Sequence, residues 1–147
     1  MQLRTEIEID APPSVVWRVL TDGSCYHEWN PFITTFEGPL TEGARLTVVM
    51  SPPDGSDFRI HPQVLKVEPE KHLRWKGKVM AEFFFSGEHY FTLTPLPGGK
   101  TRVCHGEDFG GFFLKFFAKQ MSSAARGFVF MNNALKRRAE DFSRTTR

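Results

Sequence analysis

The sequence predicts an α+β fold, a curved seven-stranded antiparallel sheet around one long C-terminal helix, with two short helices after the first strand. Three observations point there. Residues 2–10 alternate between polar and apolar positions. Residues 32–109 hold six further strand-like segments punctuated by turns. From Phe112 to Phe142 apolar residues recur at helical spacing without a proline. The connections between successive strands are short, which favours an antiparallel meander because parallel neighbours need a long crossover.

In the first segment Leu3, Thr5, Ile7 and Ile9 share one face and Gln2, Arg4, Glu6, Glu8 and Asp10 the other, the pattern of a half-buried strand. Proline is tolerated in a first helical turn. After Ala11-Pro12-Pro13, Val15, Val16, Val19 and Leu20 recur at three- and four-residue spacing, so a helix follows. Thr21-Asp22-Gly23-Ser24 breaks it. A second short helix carries Cys25 to Trp29 and stops at Asn30-Pro31, because a residue before proline avoids the α region. Strands are expected near 32–38, 43–51, 57–68, 72–80, 83–95 and 100–109. Gly38-Pro39, Pro52-Pro53-Asp54-Gly55, Pro69-Glu70 and Pro97-Gly98-Gly99 mark turns between them. Beyond Gly110-Gly111 the stripe Phe113, Phe117, Met121, Ala124, Phe128, Met131, Leu135, Ala139, Phe142 describes one amphipathic helix, with a bend allowed at Gly127. An antiparallel sheet with one apolar face needs cover, and this helix is the only element long enough to supply it.

The 147 residues are read as one domain, 1–147, large enough to fold without metal or disulfide support. A net charge of +2 gives no broad field for nucleic acid. The basic residues near the end are interrupted by Glu140 and Asp141, as on a solvated helix face. Cys25 and Cys104 stand far apart, without metal-type spacing, which favours a reducing compartment. No charged-then-apolar leader and no apolar run of membrane-spanning length is visible, so a cytoplasmic protein without integral membrane association is expected. The outlying count is 15 Phe against 2 Tyr, rings that fill a core or line a pocket for flat apolar molecules.

Several strings in this order resemble the START-like, helix-grip (SRPBCC) superfamily, in its polyketide cyclase/dehydrase-type lipid-binding branch. They are Ala11-Pro12 with Val16-Trp17, Trp29-Asn30-Pro31, Gly38 and Gly43, Leu73-Arg74-Trp75, and Gly87, His89 and Phe91. Gly99-Lys100-Thr101, His105 through Gly110, and Met131-Asn132 through Glu140 complete the series. The resemblance implies a helix-grip fold with a cavity between sheet and helix. Its members include lipid carriers, hormone receptors and aromatic-ring cyclases, so it fixes no single activity. No catalytic signature carries over residue by residue.

Chemistry concentrates in the last hairpin. Phe85, Gly87, His89, Phe91 and Leu93 share a face of one strand, and Thr101, Val103, His105, Glu107 and Phe109 a face of the next. Inward faces must pair with inward faces. Leu93 opposite Thr101 sets His89 opposite His105, and Leu93 opposite Val103 sets His89 opposite Glu107. Titratable groups on an apolar face need partners. Four readings stay open: a satisfied His–carboxylate pair in the core, an anchor for a ligand head group, a general acid–base pair, and a metal site of two His and one Glu. A phosphate-cradling glycine loop, a serine nucleophile elbow, an HExxH motif and a dinucleotide fingerprint are absent from the sequence, and no cofactor is implied.

The expected ligand-binding set is Trp29, Trp75, Phe85, His89, Phe91, His105, Glu107, Phe109, Phe117, Met121 and Phe128. His89 is expected to offer one ring nitrogen to Glu107 and the other to the pocket. Phe112, Phe113, Phe116 and Phe117 form either a buried first helical turn or a lid hinged at Gly110-Gly111. The favoured function is a carrier or sensor of a small hydrophobic or aromatic molecule. The alternatives are a polyketide cyclase/dehydratase-like enzyme using His89, His105 and Glu107, and a protein-interaction module with a filled core.

Overall fold

A computed structural model describes residues 1–79, 85–112, 115 and 118–146, the side chains of Val79 and Phe85 excepted. Its strands and α-helices follow the order β1 (Gln2–Ile9), α1 (Pro13–Thr21), α2 (Tyr26–Trp29), β2 (Ile33–Glu37), β3 (Thr47–Met50), β4 (Phe58–Ile60), β5 (Gln63–Glu68), β6 (His72–Val79), β7 (Phe85–Leu96), β8 (Lys100–Gly110) and α3 (Ala118–Thr145). A single 3₁₀ turn, Gly23–Cys25, joins α1 to α2.

The strands form two antiparallel sheets, β1-β8-β7-β6-β5 and β2-β3-β4, rather than the single seven-stranded sheet expected. Pro62 is the physical reason. The segment expected as one strand over 57–68 divides at His61-Pro62, so that β4 pairs with β3 and β5 with β6. Proline has no N–H to donate and cannot sit within a continuous ladder. Its carbonyl accepts instead from the Leu46 amide at 2.9 Å. The Gly43 amide donates to the Val64 carbonyl at 2.8 Å, and the Val64 amide to the Ala44 carbonyl at 2.9 Å. The chain before β3 thus joins the small sheet to the β5 edge of the large one.

Alternation along β1 is realised: Leu3, Thr5 and Ile7 are half-buried, Ile9 is fully buried, and the residues between them are exposed. Val16, Val19 and Leu20 bury one side of α1. Asn30 closes α2, its Oδ1 accepting from the amides of Phe32 (3.0 Å) and Ile33 (2.8 Å), which turns the chain into β2.

The last helix begins, among the described residues, at Ala118 and not at Phe112. β8 runs on to Gly110, and Gly111 takes φ 115°, a conformation that reverses the chain out of the strand. Phe112 lies in this turn, 71% exposed, so it is neither a helical residue nor a buried one. Phe113, Phe116 and Phe117 lie outside the described residues. Farther along, the stripe holds: Met121, Phe128, Met131, Leu135 and Ala139 are buried, and α3 packs on β1, β8, α1 and α2. Gly127 serves contact. A Cβ there would come within 2.3 Å of the Phe32 ring, which lies against the helix backbone. Between helix and sheet stand Leu73, Trp75, Phe91, Leu93 and Val103, all buried. Among the described residues no helix is long and apolar enough to cross a membrane.

Candidate functional site

The β7–β8 hairpin positions the site. Gly98 and Gly99, with φ 83° and 74°, make a turn that an L side chain would strain, and they set the register. Leu93 falls opposite Val103, Phe91 opposite His105 and His89 opposite Glu107. This is the second of the two registers that the inward pattern allows.

A continuous hydrogen-bonded chain runs through the core from that pairing. Glu107 Oε1 lies 2.8 Å from His89 Nδ1, His89 Nε2 lies 2.7 Å from His105 Nε2, and His105 Nδ1 lies 2.8 Å from Asn132 Oδ1 on α3. Asn132 Nδ2 donates to Thr5 Oγ1 on β1 at 2.8 Å, and that hydroxyl donates to the His105 carbonyl at 2.7 Å. Both imidazoles are wholly buried, and Asn132 nearly so. Aromatic rings enclose them. Trp75 lies flat on His89, with centroids 4.4 Å apart and planes 2° from parallel. His105 is stacked between Phe91 (4.3 Å, 25°) and Phe128 (4.2 Å, 13°).

Burial sets the electrostatics. It holds His89 neutral down to about 3, and His105 well below its usual value, with the His89 neighbour acting in the same sense. It pushes the Glu107 carboxyl up to about 8, helped by the adjacent Asp108. Arg74 of β6 lies 3.1 Å from both Glu88 and Asp108. The Glu107–His89 contact is therefore read as a neutral acid beside a neutral base.

Glu107 is also where the chain reaches open space. A cavity of about 650 Å³ lies beside it, walled by Met50, Pro52, Phe58 and Ile60 of the β3–β4 hairpin, Trp75 and Gly77 of β6, Gly87 of β7, Glu107 and Phe109 of β8, and Met121 and Ala124 of α3. Phe32 lines it as well. The core is thus not solid at this end of the molecule. The Glu107 side chain is 15% exposed, whereas the His89 side chain is fully covered. Gly87 makes room for the carboxyl, since a Cβ there would meet Glu107 Oε2 at 2.1 Å.

Of the residues expected to bind a ligand, Trp75, Glu107, Phe109 and Met121 are brought together on this wall. His89, Phe91, His105 and Phe128 form the packed layer behind it. The expectation that His89 aims a nitrogen into the pocket is corrected: that nitrogen is taken by His105, and the carboxyl faces the cavity instead. The same contacts leave the two histidines and Glu107 no common point at which their lone pairs converge. Trp29 is away from the wall, edge-on to Tyr26 at 5.1 Å. The side chains of Phe85 and Phe117 lie outside the described residues.

Thr5 and Asn132 were not foreseen, nor was the part taken by the β3–β4 hairpin. A signal for Asn132 existed: it stands four residues after Phe128 and three before Leu135, a polar residue inside the apolar stripe.

A family model described as polyketide cyclase / dehydrase and lipid transport matches residues 1–140. Several solved structures share the fold. The Zhui aromatase/cyclase from Streptomyces sp. R1128 is similar with a TM-score of 0.78 at 15% identity, over 95% of this chain and 93% of that one. A START superfamily protein from Mycobacterium smegmatis gives 0.76 at 16%, over 96% and 98%. The protein MLL2253 from Mesorhizobium loti gives 0.67 at 24%, over 93% and 98%. At these identities the likeness is one of fold. No curated protein matches the sequence.

Proposed function

The chain belongs to the polyketide cyclase/dehydrase and lipid transport family, and from that premise we propose that it is a carrier or sensor that binds a small apolar or aromatic molecule in the cavity between the β3–β4 hairpin, β6–β8 and α3. The observation that carries this reading is the cavity wall itself. Its apolar part is built of Met50, Phe58, Ile60, Trp75, Phe109, Met121 and Ala124, with the largely buried Glu107 carboxyl among them, while the charged residues Asp54, Arg59, Lys78 and Lys119 line it from exposed positions. A few placed polar groups in an otherwise apolar pocket are what a small-molecule site needs: burial supplies affinity and the polar group supplies orientation. A volume of about 650 Å³ suits a molecule of several fused rings.

A second reading is favoured by one specific feature. Glu107 holds its proton to about 8, close to neutral pH, and a group poised there is suited to giving and taking a proton from a bound polyketide-like substrate. In that reading Glu107 is the residue in contact with substrate, and His89 and His105 act behind it.

Binding is tested by thermal melts with naphthalene and its derivatives, in wild type and in Ala124→Trp, whose indole ring would occupy part of the cavity. At a hundredfold excess over Kd, the wild-type Tm is expected to rise by about 5–10 °C, and the narrowed variant is expected to respond clearly less at the same ligand concentration. The melt of the unliganded variant reports whether it folds. No response in wild type to any apolar aromatic compound, or an equal response in both proteins, would overturn the reading.

A further inference from the structure

The hydrogen-bonded chain behind the cavity has a direction, and its far end sets that direction. A backbone carbonyl only accepts. The Thr5 hydroxyl therefore donates to the His105 carbonyl, and its oxygen accepts from Asn132 Nδ2. With its amide nitrogen so placed, Asn132 presents Oδ1 to His105, and an amide oxygen also only accepts. His105 Nδ1 must carry its hydrogen. A neutral His105 then has a bare Nε2, so His89 Nε2 must donate to it. A neutral His89 in turn has a bare Nδ1, and the hydrogen between it and Glu107 must come from the carboxyl, on Oε1. If the proton crosses to His89, Glu107 becomes a carboxylate. In both cases the second oxygen, Oε2, is left with lone pairs only.

Oε2 lies over Gly87, on the cavity wall, and makes no hydrogen bond among the described residues. The other charged residues of that wall, Asp54, Arg59, Lys78 and Lys119, are exposed, and none bonds to Glu107 among the described residues.

We propose that Thr5 and Asn132 are positioning residues that fix the tautomers of His105 and His89, so that Glu107 holds a proton on Oε1 and presents Oε2 to the cavity as a bare acceptor, and that the site consequently selects flat apolar molecules bearing a phenolic or enolic hydroxyl. This rests on the reading of the cavity as a ligand site and names the class of ligand it takes. A hydroxyl donor matches Oε2. A carboxylate placed against it brings lone pairs against lone pairs, and a plain hydrocarbon leaves a desolvated acceptor without a partner. Glu107→Gln retains the pattern, because an amide N–H replaces the carboxyl O–H toward His89 Nδ1 and the amide oxygen replaces Oε2. Thr5→Val releases the far end. Asn132 is then free to turn its nitrogen toward His105, both histidines reverse, and His89 gains a hydrogen to donate to an ionised Glu107.

The experiment compares 2-naphthol with 2-methylnaphthalene, which differ by a hydroxyl in place of a methyl, by calorimetry on wild type, Glu107→Gln and Glu107→Leu. Titration of the ¹³C-labelled Glu107 carboxyl by NMR in wild type and Thr5→Val accompanies it. Wild type and Glu107→Gln are expected to bind 2-naphthol about tenfold more tightly than 2-methylnaphthalene, and Glu107→Leu is expected to lose that preference. The Glu107 carboxyl is expected to be protonated at neutral pH in wild type and to titrate at clearly lower pH in Thr5→Val. A structural role for Thr5 alone would change the melt and leave that midpoint where it was. Equal binding of the two compounds by wild type, an undiminished preference in Glu107→Leu, or an unmoved midpoint in Thr5→Val overturns the proposal while leaving the cavity reading intact. Saturable binding of neither compound overturns both.

Discussion

Raising the pH from 6.5 to 8 is expected to destabilise this protein, and the buried acid–base pair sets the size of the effect. In the unfolded chain Glu107 loses its proton near 4.5 and a histidine loses its own near 6.5. In the fold Glu107 keeps its proton to about 8, and His89 stays neutral down to about 3. Above 6.5 the folded state therefore binds one proton more at this pair than the unfolded chain does. Stability falls there by about 1.4 kcal/mol per pH unit, which comes to about 2 kcal/mol by pH 8. Between 4.5 and 6.5 the balance reverses. The unfolded chain protonates both His89 and His105, while the fold carries only the proton on Glu107, so stability rises with pH. His72, also held low by its burial, adds to this acid limb. The stability maximum is expected near pH 6.5. Urea melts at intervals from pH 5 to 8.5 measure it, on wild type and on Glu107→Gln, in which the limb above 6.5 should vanish and the curve run flat. Wild-type stability that is flat or rising from 6.5 to 8, or an alkaline decline equally steep in Glu107→Gln, would refute the reasoning.

Other expectations follow from packing. Phe128 is fully buried, stacked on His105 and edge-on to Phe32 at 5.5 Å, so Phe128→Ala should cost about 3–5 kcal/mol in urea melts. A loss under about 1 kcal/mol would mean that the ring does not hold helix to sheet. Gly127→Ala would drive a methyl to within 2.3 Å of the Phe32 ring and should cost about 1–3 kcal/mol despite alanine's better helix propensity, whereas a gain would show that Phe32 moves aside freely. Cys25 is half-exposed and Cys104 buried, both free, so a thiol reagent should modify one thiol promptly and the second only on unfolding. Equal rates for the two would contradict the burial of Cys104.

Much of this architecture was legible from local rules. Alternation in residues 2–10 and the stripe from Met121 to Ala139 each have one periodicity and one possible buried face, and both are realised. The hairpin was legible to within two registers, because the inward–outward pattern repeats every second residue. Only the full pairing of β7 with β8 and β6 chose the one that sets His89 against Glu107. Two features escaped for separate reasons. The split of residues 57–68 turns on Pro62, whose carbonyl finds a partner, Leu46, sixteen residues away, a relation no local window contains. The direction of the buried chain depends on Thr5, 100 residues from His105 and 127 from Asn132. Its inward position on β1 could be read from alternation, but its partners are a matter of tertiary contact. The aim of the His89 ring was misjudged for the same reason, since the neighbour that takes its second nitrogen stands on the next strand.

The central claim, a ligand cavity bounded by the β3–β4 hairpin, the inner face of β6–β8 and the first turns of α3, is tested most directly by ¹H–¹⁵N correlation spectra of the labelled protein titrated with 2-naphthol. Saturable one-to-one shifts are expected at the amides of Ile60, Gly77, Gly87, Met121 and Ala124, which surround the cavity, with little change at Lys66, Lys71 and Thr94 on the far edge of the sheet. Shifts that never saturate, or that gather on that far edge and leave Gly87 and Met121 unmoved, would contradict it.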